Sequence, residues 1–460
     1  MGLPNPVLTV AQVADAVGGR VLRGDPHTCV HRVVTDSRAS SPGALFVALR
    51  GRARDGHAFV GDAARRGARA ALVCEPVAVE VPLVWVPDTR ASLLPLARRW
   101  RAELPAVAVG VTGSVGKTTT VAMTAAVLRR RYPTWASEPD WNAELGVPLT
   151  LFGATAAHRY VVVEMAMRGL GQIAQLAAVV RPQVGVVTCV GPSHLELLGS
   201  LEAVARAKAE LVEALPPEGV AVLNADDPRV LGMARLTRAR VLRFGFAADA
   251  DVRAEDVQPE GPGVRFRVRT PEGSASVFLP VPAPQLVHNA LAALAVGQVC
   301  GVPLEEGARA LVHFRTPPLR LSVAELEGGG VLVNDAYNAS PQSLEAAFAA
   351  VRALRGGRRV VAVLGEMREL GPLASRAHEE AGARCAREGF AVLIAVGEGA
   401  RALAGAARES GLPAEAVVWV RDAEEASAAL SARVRPGDLV LVKGSRALGL
   451  ERVVEGLERR

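Results

Sequence analysis

This sequence predicts an α/β protein built as three successive units, and three observations carry that prediction. Short continuous apolar runs recur at 106–109, 160–163, 184–187 and 220–223, each followed by a polar or glycine-bearing turn. Strands covered on both faces of a parallel sheet read this way. Proline punctuates the chain at Pro105 and again at Thr316-Pro317-Pro318. Between the apolar runs lie stretches with helical periodicity, and one run leads through a glycine loop into a helix.

The first unit spans residues 1–102. It opens with a helix over 10–17, stopped by Gly18-Gly19. A second helix near 58–66 precedes a strand at 70–73, and a basic helix over 91–103 leads to Pro105. The second unit, 103–315, holds the parallel strands. Its segments 264–268 and 275–279 alternate instead, as antiparallel strands do. The third unit, 316–460, alternates strands at 331–333, 360–364, 391–396, 417–420 and 439–442 with helices, which is a Rossmann-like order.

A chain of 460 residues, half of them apolar, exceeds a single core. No apolar run reaches the roughly 18 residues a membrane span needs. The start, Met1 to Pro6, has no basic stretch leading into an apolar one, so no export signal is expected. Cys29, Cys74, Cys189, Cys300 and Cys385 are widely spaced and odd in number. They suit neither a metal cluster nor a disulfide framework, and a reduced, cytoplasmic protein is expected. The net charge of +6 permits an anionic partner, but aromatics at 4% argue against a stacking platform for single-stranded nucleic acid. A small anionic substrate such as a nucleotide fits. Neither nucleic-acid binding nor membrane insertion is expected.

Lysine occurs only as Lys117, Lys208 and Lys443; the other 50 of the 53 Lys and Arg residues are arginine. Arginine stays charged, whereas lysine is a compact charge that can lose its proton. The surviving lysines therefore mark candidate sites. Lys117 stands in Gly113-Ser114-Val115-Gly116-Lys117-Thr118, after a strand at 107–110 and before a helix at 119–130. That is the setting of a phosphate loop, whose N–H groups face phosphate oxygens while Lys neutralises charge and Thr holds Mg²⁺. Val111 stands where the eight-residue Walker pattern has glycine.

Glu164 ends an apolar strand, where a carboxylate can bind Mg²⁺; a solvent-exposed strand end is the alternative. His194 follows the strand starting at 184, either as a ligand or as a hydrogen-bonded loop residue. Lys208 lies on an amphipathic helix beginning at Ser200. A solvated face is the ordinary reading of such a lysine. Buried instead, it could be neutral, take up CO₂ as a carbamate and become an anionic oxygen ligand.

Across essentially its whole length the chain resembles the Mur ligase family, ATP-dependent amide-forming enzymes of peptidoglycan precursor synthesis. The matching strings include Asp36-Ser37-Arg38 and Asp55-Gly56-His57 in the first unit. In the second they include Gly146-Val-Pro-Leu-Thr150, Ser193-His194, Ala207-Lys208-Ala-Glu210, Asn224-Ala-Asp-Asp-Pro228 and His288-Asn289. In the third they are Asp335-Ala-Tyr-Asn338-Ala-Ser-Pro341, Leu364-Gly-Glu-Met-Arg-Glu-Leu-Gly371 and Lys443-Gly-Ser445-Arg446. Met167-Arg168-Gly169 and the last unit's first two strings favour the members that add D-alanyl-D-alanine to UDP-N-acetylmuramoyl-tripeptide. The siblings that add a diamino acid, folylpolyglutamate-type ligases and a nucleotide-dependent switch protein are the rival readings.

The resemblance implies a three-domain Mur ligase architecture: a small N-terminal α/β domain binding the UDP-sugar peptide, a central P-loop ATPase-like parallel sheet, and a C-terminal Rossmann-like domain for the incoming amine. It implies ATP and two Mg²⁺ ions as cofactors, with a carbamate on Lys208, and a monomer acting on small molecules. Catalysis would rest on Lys117, Lys208 and His194. ATP would lie on Gly113, Ser114, Val115, Gly116, Lys117, Thr118, Thr119, His288, Asn289, Arg320 and Asp335. Metal would bind Thr118, Glu164, His194 and Lys208. Substrates would meet Ser37, Arg38, Asn142, Asn338, Lys443 and Ser445. Two departures stand out. The family's Gly-Asn-x-Asn-Asn reads Pro139-Asp140-Trp141-Asn142-Ala143, and the Gly-Arg of the second hinge reads Leu319-Arg320, which predicts a stiffer hinge.

Overall fold

The computed structural model describes residues 6–51 and 54–458. The opening Met1 to Asn5, read above as lacking an export signal, lies outside them. Three principal sheets follow one another along the chain.

The first has five strands in the order Arg20–Arg23, Leu83–Trp85, Ala68–Val73, Ala44–Val47, Arg32–Val34. All neighbours are parallel except the first pair. The helix Val10–Val17 falls where expected. Thr9 and Gln12 form a capping box at its start, and Gly18 ends it at φ 61°, a conformation that suits glycine. The basic helix runs Leu93–Glu103, two residues shorter at its start than predicted. It buries Leu93, Leu96, Ala97 and Trp100 and packs on the helices Gly146–Gly153 and Gln172–Val180 of the next unit.

The central sheet has nine strands: Gly273–Leu279, Gly263–Thr270, Val252–Glu260, Arg240–Gly245, Val220–Asn224, Val184–Val187, Val107–Thr112, Tyr160–Glu164, Thr134–Ala136. Seven are parallel, and the first two are antiparallel, as their alternating sequence predicts. Val107–Thr112 has Tyr160–Glu164 on one side and Val184–Val187 on the other. The chain thus reverses its direction of winding there, and the crevice beyond such strand ends is where open α/β sheets bind ligands.

The third sheet runs Ser322–Leu326, Gly330–Asp335, Leu439–Lys443, Val360–Gly365, Val392–Val396, Val417–Val420. Only its first strand is antiparallel. Asp335, Lys443 and Gly365 end three neighbouring strands and bring their following loops to one edge.

The expected helix at 119–130 is corrected to Lys117–Leu128. Gly116, at φ 86°, ends the loop and leaves the N–H of Lys117 at the first helical position. At the other end, turns through Arg131 and Tyr132 lead to Pro133, which cannot continue a helix. Val111 lies inside the strand, buried, so only the short loop remains.

Candidate active site

The loop 113–118 is fastened from two sides. Gly113 has φ 150°, and a Cβ there would stand 1.8 Å from the Thr188 hydroxyl. A Cβ on Gly116 would stand 2.3 Å from Asn289 Nδ2. Both glycines therefore permit approaches that no other residue allows. Thr188 donates to the carbonyl of Val115 at 2.6 Å. Ser114 N–H donates to Cys189 C=O at 2.8 Å, and Ser114 Oγ accepts from Gly191 N–H and Ser193 Oγ. Asn289 donates to Gly116 C=O at 3.1 Å and to Thr120 Oγ1 at 2.8 Å. Thr119 lies partly buried at the helix start between them. Lys117 Nζ folds back onto Gly113 C=O at 2.9 Å. Burial lowers its pKa, Glu164 opposes that shift, and Arg320 adds to it.

At the helix start Thr118 Oγ1 donates to Glu164 Oε2 at 2.7 Å and accepts from Arg320 at 3.2 Å. Glu164 is 1% exposed, and its Oε1 accepts from Asn142 Nδ2 at 3.0 Å. The solvent-exposed alternative for Glu164 is thus corrected: the strand end is closed over by Asn142 and Arg320. Among the described residues no group of three or more His, Cys, Asp or Glu could hold a metal unaided. A carboxylate and a hydroxyl side by side fit Mg²⁺, which takes one or two protein oxygens and completes its shell with water and phosphate.

Lys208 is 2% exposed on the helix Leu201–Glu213, whose N-cap is Ser200. The solvated-face reading of this lysine is corrected, because the helix turns Lys208 inward with Val204, Leu211 and Val212. Its amine has no hydrogen-bond or ion-pair partner among the described residues. Burial first, and then the charge of Lys117, pull its pKa down to about 7. His194 sits at φ 57° just before Leu195–Leu198. Its Nδ1 is hydrogen-bonded to Glu369 Oε2, from the third unit. Burial lowers the imidazole pKa, Glu369 raises it, and Lys117 and Lys208 both lower it. The charge of Lys117 thus acts on both Lys208 and His194.

His288 Nε2 meets Asp226 Oδ2 at 2.8 Å, and its ring lies edge-on to Phe246 at 4.6 Å. Asp226 also accepts from the N–H groups of Phe246 and Ala247. Arg320 stacks on Tyr337, 3.6 Å from the ring centre. The residues flanking Arg320 are left-handed, Leu319 at φ 61° and Leu321 at φ 51°.

Asp335 and Lys443 lie elsewhere than an open pocket. Lys443 is 1% exposed and donates to Asp335 Oδ2 at 2.5 Å and to Asn338 C=O at 2.8 Å. The other Asp335 oxygen accepts from Leu321 N–H at 3.1 Å. Both carboxylate oxygens are thus engaged, one of them by the residue that follows Arg320. Ser445 Oγ accepts from Arg368 N–H at 2.9 Å, and Asn338 Oδ1 from Ala339 N–H. In the first unit Ser37 is buried, while exposed Arg38 grips Asp36 at 2.7 Å and holds that carboxyl down to about 2.

Four residues at the site escaped the sequence reading: Asp226, Tyr337, Arg168 and Glu369. All four stand inside quoted strings, so the signal was present, but their partners lie far away in the chain.

Three family models match the chain: "Mur ligase family, catalytic domain" over 29–101, "Mur ligase middle domain" over 111–297 and "Mur ligase, glutamate ligase domain" over 319–446. The UDP-N-acetylmuramoyl-tripeptide–D-alanyl-D-alanine ligase of Mycobacterium tuberculosis is 39% identical, covering 98% of this chain and 97% of that protein. Its counterpart from Escherichia coli is 34% identical, covering 98% of each. Among solved structures, MurF from Acinetobacter baumannii superposes with a TM-score of 0.85 at 28% identity, covering all of both chains. MurF from Thermotoga maritima in complex with ADP gives 0.77 at 29% identity, covering 93% of this chain and 97% of that one.

Proposed function

The chain belongs to the Mur ligase family, and from that premise we propose that it adds D-alanyl-D-alanine to UDP-N-acetylmuramoyl-tripeptide with ATP, through an acyl phosphate. One observation supports this reading above others. The phosphate-loop hydroxyl Thr118 touches both Glu164 from the same sheet and Arg320 from the third unit. A simple nucleotide switch has no need of a third unit reaching into its phosphate site.

On this reading residues 1–102 hold the UDP-sugar peptide, with Ser37 and Arg38 in its path. Residues 103–315 hold ATP, and residues 316–460 hold the incoming amine near Asn338 and Ser445. His288 and Phe246 flank the base, and Asn289 keeps the phosphate loop in shape. All of these residues come from one chain, so a monomer suffices.

A carboxylate does not acylate an amine in neutral water, because oxide is too poor a leaving group. The tripeptide's terminal carboxylate therefore attacks the γ-phosphorus, the bond to ADP breaks, and an acyl phosphate results. The dipeptide amine then adds to the acyl carbon, loses a proton, and phosphate leaves with the bonding electrons. Most of the catalytic demand is positioning and charge neutralisation. Lys117 exchanges its contact with Gly113 C=O for phosphate oxygens. Arg320 approaches the same oxygens from the opposite side. Asn142 holds Glu164, and closure of the three units around the site keeps water from the acyl phosphate. Bound magnesium would offset phosphate charge, held by Thr118 and Glu164 at one position and by His194 and Lys208 at a second.

An ammonium cannot ligate a cation, so Lys208 fits the second position only in another form. Its unpartnered amine, with a pKa brought down to about 7 by burial, is free base in a large share of molecules at neutral pH, adds to CO₂ and releases a proton, leaving a carbamate oxygen. Lys208→Arg is expected to keep the fold and abolish ligation; wild-type activity in that variant would sink the carbamate. A carbamate resonance after labelling with ¹³C-bicarbonate, absent from the variant, checks it independently. The whole reading is tested by phosphate release from ATP with UDP-MurNAc-tripeptide, with and without D-Ala-D-Ala. Dipeptide-dependent release with a product heavier by one dipeptide supports it. Release indifferent to the dipeptide rejects it.

A further inference from the structure

Two strings that set this branch of the family apart, Met167-Arg168-Gly169 and Gly365-Glu366-Met367-Arg368-Glu369-Leu370-Gly371, meet each other in space. We propose that Glu369 is a positioning residue: from the third unit it orients the imidazole of His194 in the central unit, so that the second metal position is complete only when the two units are docked. The proposal rests on the reading above for the role of His194.

Glu369 binds the central unit at three points. Oε2 takes His194 Nδ1, Oε1 faces Arg168 NH2 at 3.5 Å, and its main-chain carbonyl accepts from Glu196 N–H at 3.2 Å. Gly371, at φ 56°, brings the same loop against Glu196, where even a Cβ would stand only 3.3 Å from Glu196 Cα. Met367 and Leu370 bury the loop in the third unit's core, and Met367 N–H donates to His378 Nε2 at 2.8 Å. The carboxylate is thus presented from a fixed support. Arg168 is steadied in turn, since its N–H and that of Gly169 donate to Gln172 Oε1.

An ordinary surface ion pair contributes little and needs no special backbone. Here both residues of the pair adopt left-handed conformations, Glu369 at φ 63° and His194 at φ 57°. Neither is glycine, and each such conformation is unfavourable for a residue with a Cβ. The pair is held against that cost. With Nδ1–H directed to a carboxylate, the Nε2 lone pair is left free, the arrangement that metal-binding histidines adopt.

The test uses full-length protein labelled with ¹⁵N-histidine, free of metal and nucleotide, at mildly alkaline pH. The spectrum contains eight imidazoles, and His194 is the one missing from His194→Gln. Wild type is expected to show His194 protonated on Nδ1 only. Glu369→Gln keeps an acceptor oxygen and is expected to keep that tautomer. Glu369→Ala is expected to move the proton to Nε2 and to raise the magnesium concentration for half-maximal ligation ~10–100-fold, with Glu369→Gln near wild type. Either an unmoved tautomer or an unmoved magnesium dependence in Glu369→Ala overturns the proposal. Failure of the wild type to ligate at all would instead count against the reading of function, and the tautomer would still report on Glu369.

Discussion

The two junctions between the three units are made of different material. Where the first unit meets the central one, the helix Leu93–Glu103 shares a core with Phe152, Ile173 and Leu176, and Trp100 lies edge-on to Phe152 at 6.2 Å. Arg101, 4% exposed, donates to the carbonyls of Val180, Leu104 and Ala106, and no carboxylate pairs with it among the described residues. That cation acts as a stitch between backbones. Where the central unit meets the third, apolar contact runs between Pro284–Leu286 and the helix Pro341–Leu354. At the candidate site the two are joined by ionic and polar contacts: Arg320 to Thr118, Glu369 to His194 and Arg168. The first junction is built to stay together; the second is built from groups that substrates can also claim. A clamp that must admit three anions and then exclude water requires one fixed joint and one that responds to charge.

The comparison can be broken at four places. Arg101→Met should cost most. Three buried carbonyls lose their donors, for about 3 kcal/mol, read as a lower urea midpoint with an unchanged denaturant slope. The ligation rate of the folded fraction should not change; a slower folded enzyme would show that the first junction moves during turnover. Arg320→Ala should reverse the pattern, leaving stability nearly intact and lowering the ligation kcat about 100-fold or more. Next in size is salt. Glu369 is 32% exposed, with His194 at 25% and Arg168 at 73%. Raising ionic strength from about 0.1 to about 1 M shortens the screening length from about 10 Å to about 3 Å. Small-angle scattering should then show a larger radius for the free protein, and an unchanged radius would mean that apolar contact alone holds the second junction. The smallest effect belongs to Leu319→Gly. Relief of a left-handed leucine, worth about 1–2 kcal/mol, is partly cancelled by the roughly 0.5–1 kcal/mol entropic cost of glycine. A slight rise in melting temperature is expected, and a fall would mean that the leucine side chain contributes more than its backbone costs.

The buried strands were legible because a strand covered on both faces writes itself as an unbroken apolar run; Val184–Val187 is found at the expected residues. Two charged edge strands were not. Arg20–Arg23 and Ser322–Leu326 are half-exposed and carry charge, so nothing in their composition separates them from loops. At the site, Lys117, Thr118 and Glu164 could be read locally, since loop, helix start and strand end are all short-range features. Lys208 stood out because arginine fills almost every other cationic position. Asp335 and Lys443 show the opposite limit. Each was read as facing a ligand; that they lie on neighbouring strands, paired Asp335 to Lys443 in register and hydrogen-bonded to each other, was not foreseen. Glu369 went unread for a similar reason, since 175 residues separate it from His194.

The scarcity of lysine has a practical corollary. Lys208 and Lys443 are almost wholly enclosed, and Lys117 leans back into its loop. The exterior of the folded molecule is dressed in guanidinium, which acylating reagents leave untouched. An amine-directed label would therefore find its most accessible lysine at the rim of the phosphate loop, and bound nucleotide should shield it. A reagent that decorates most proteins at random becomes, on this one, a footprint of a single pocket.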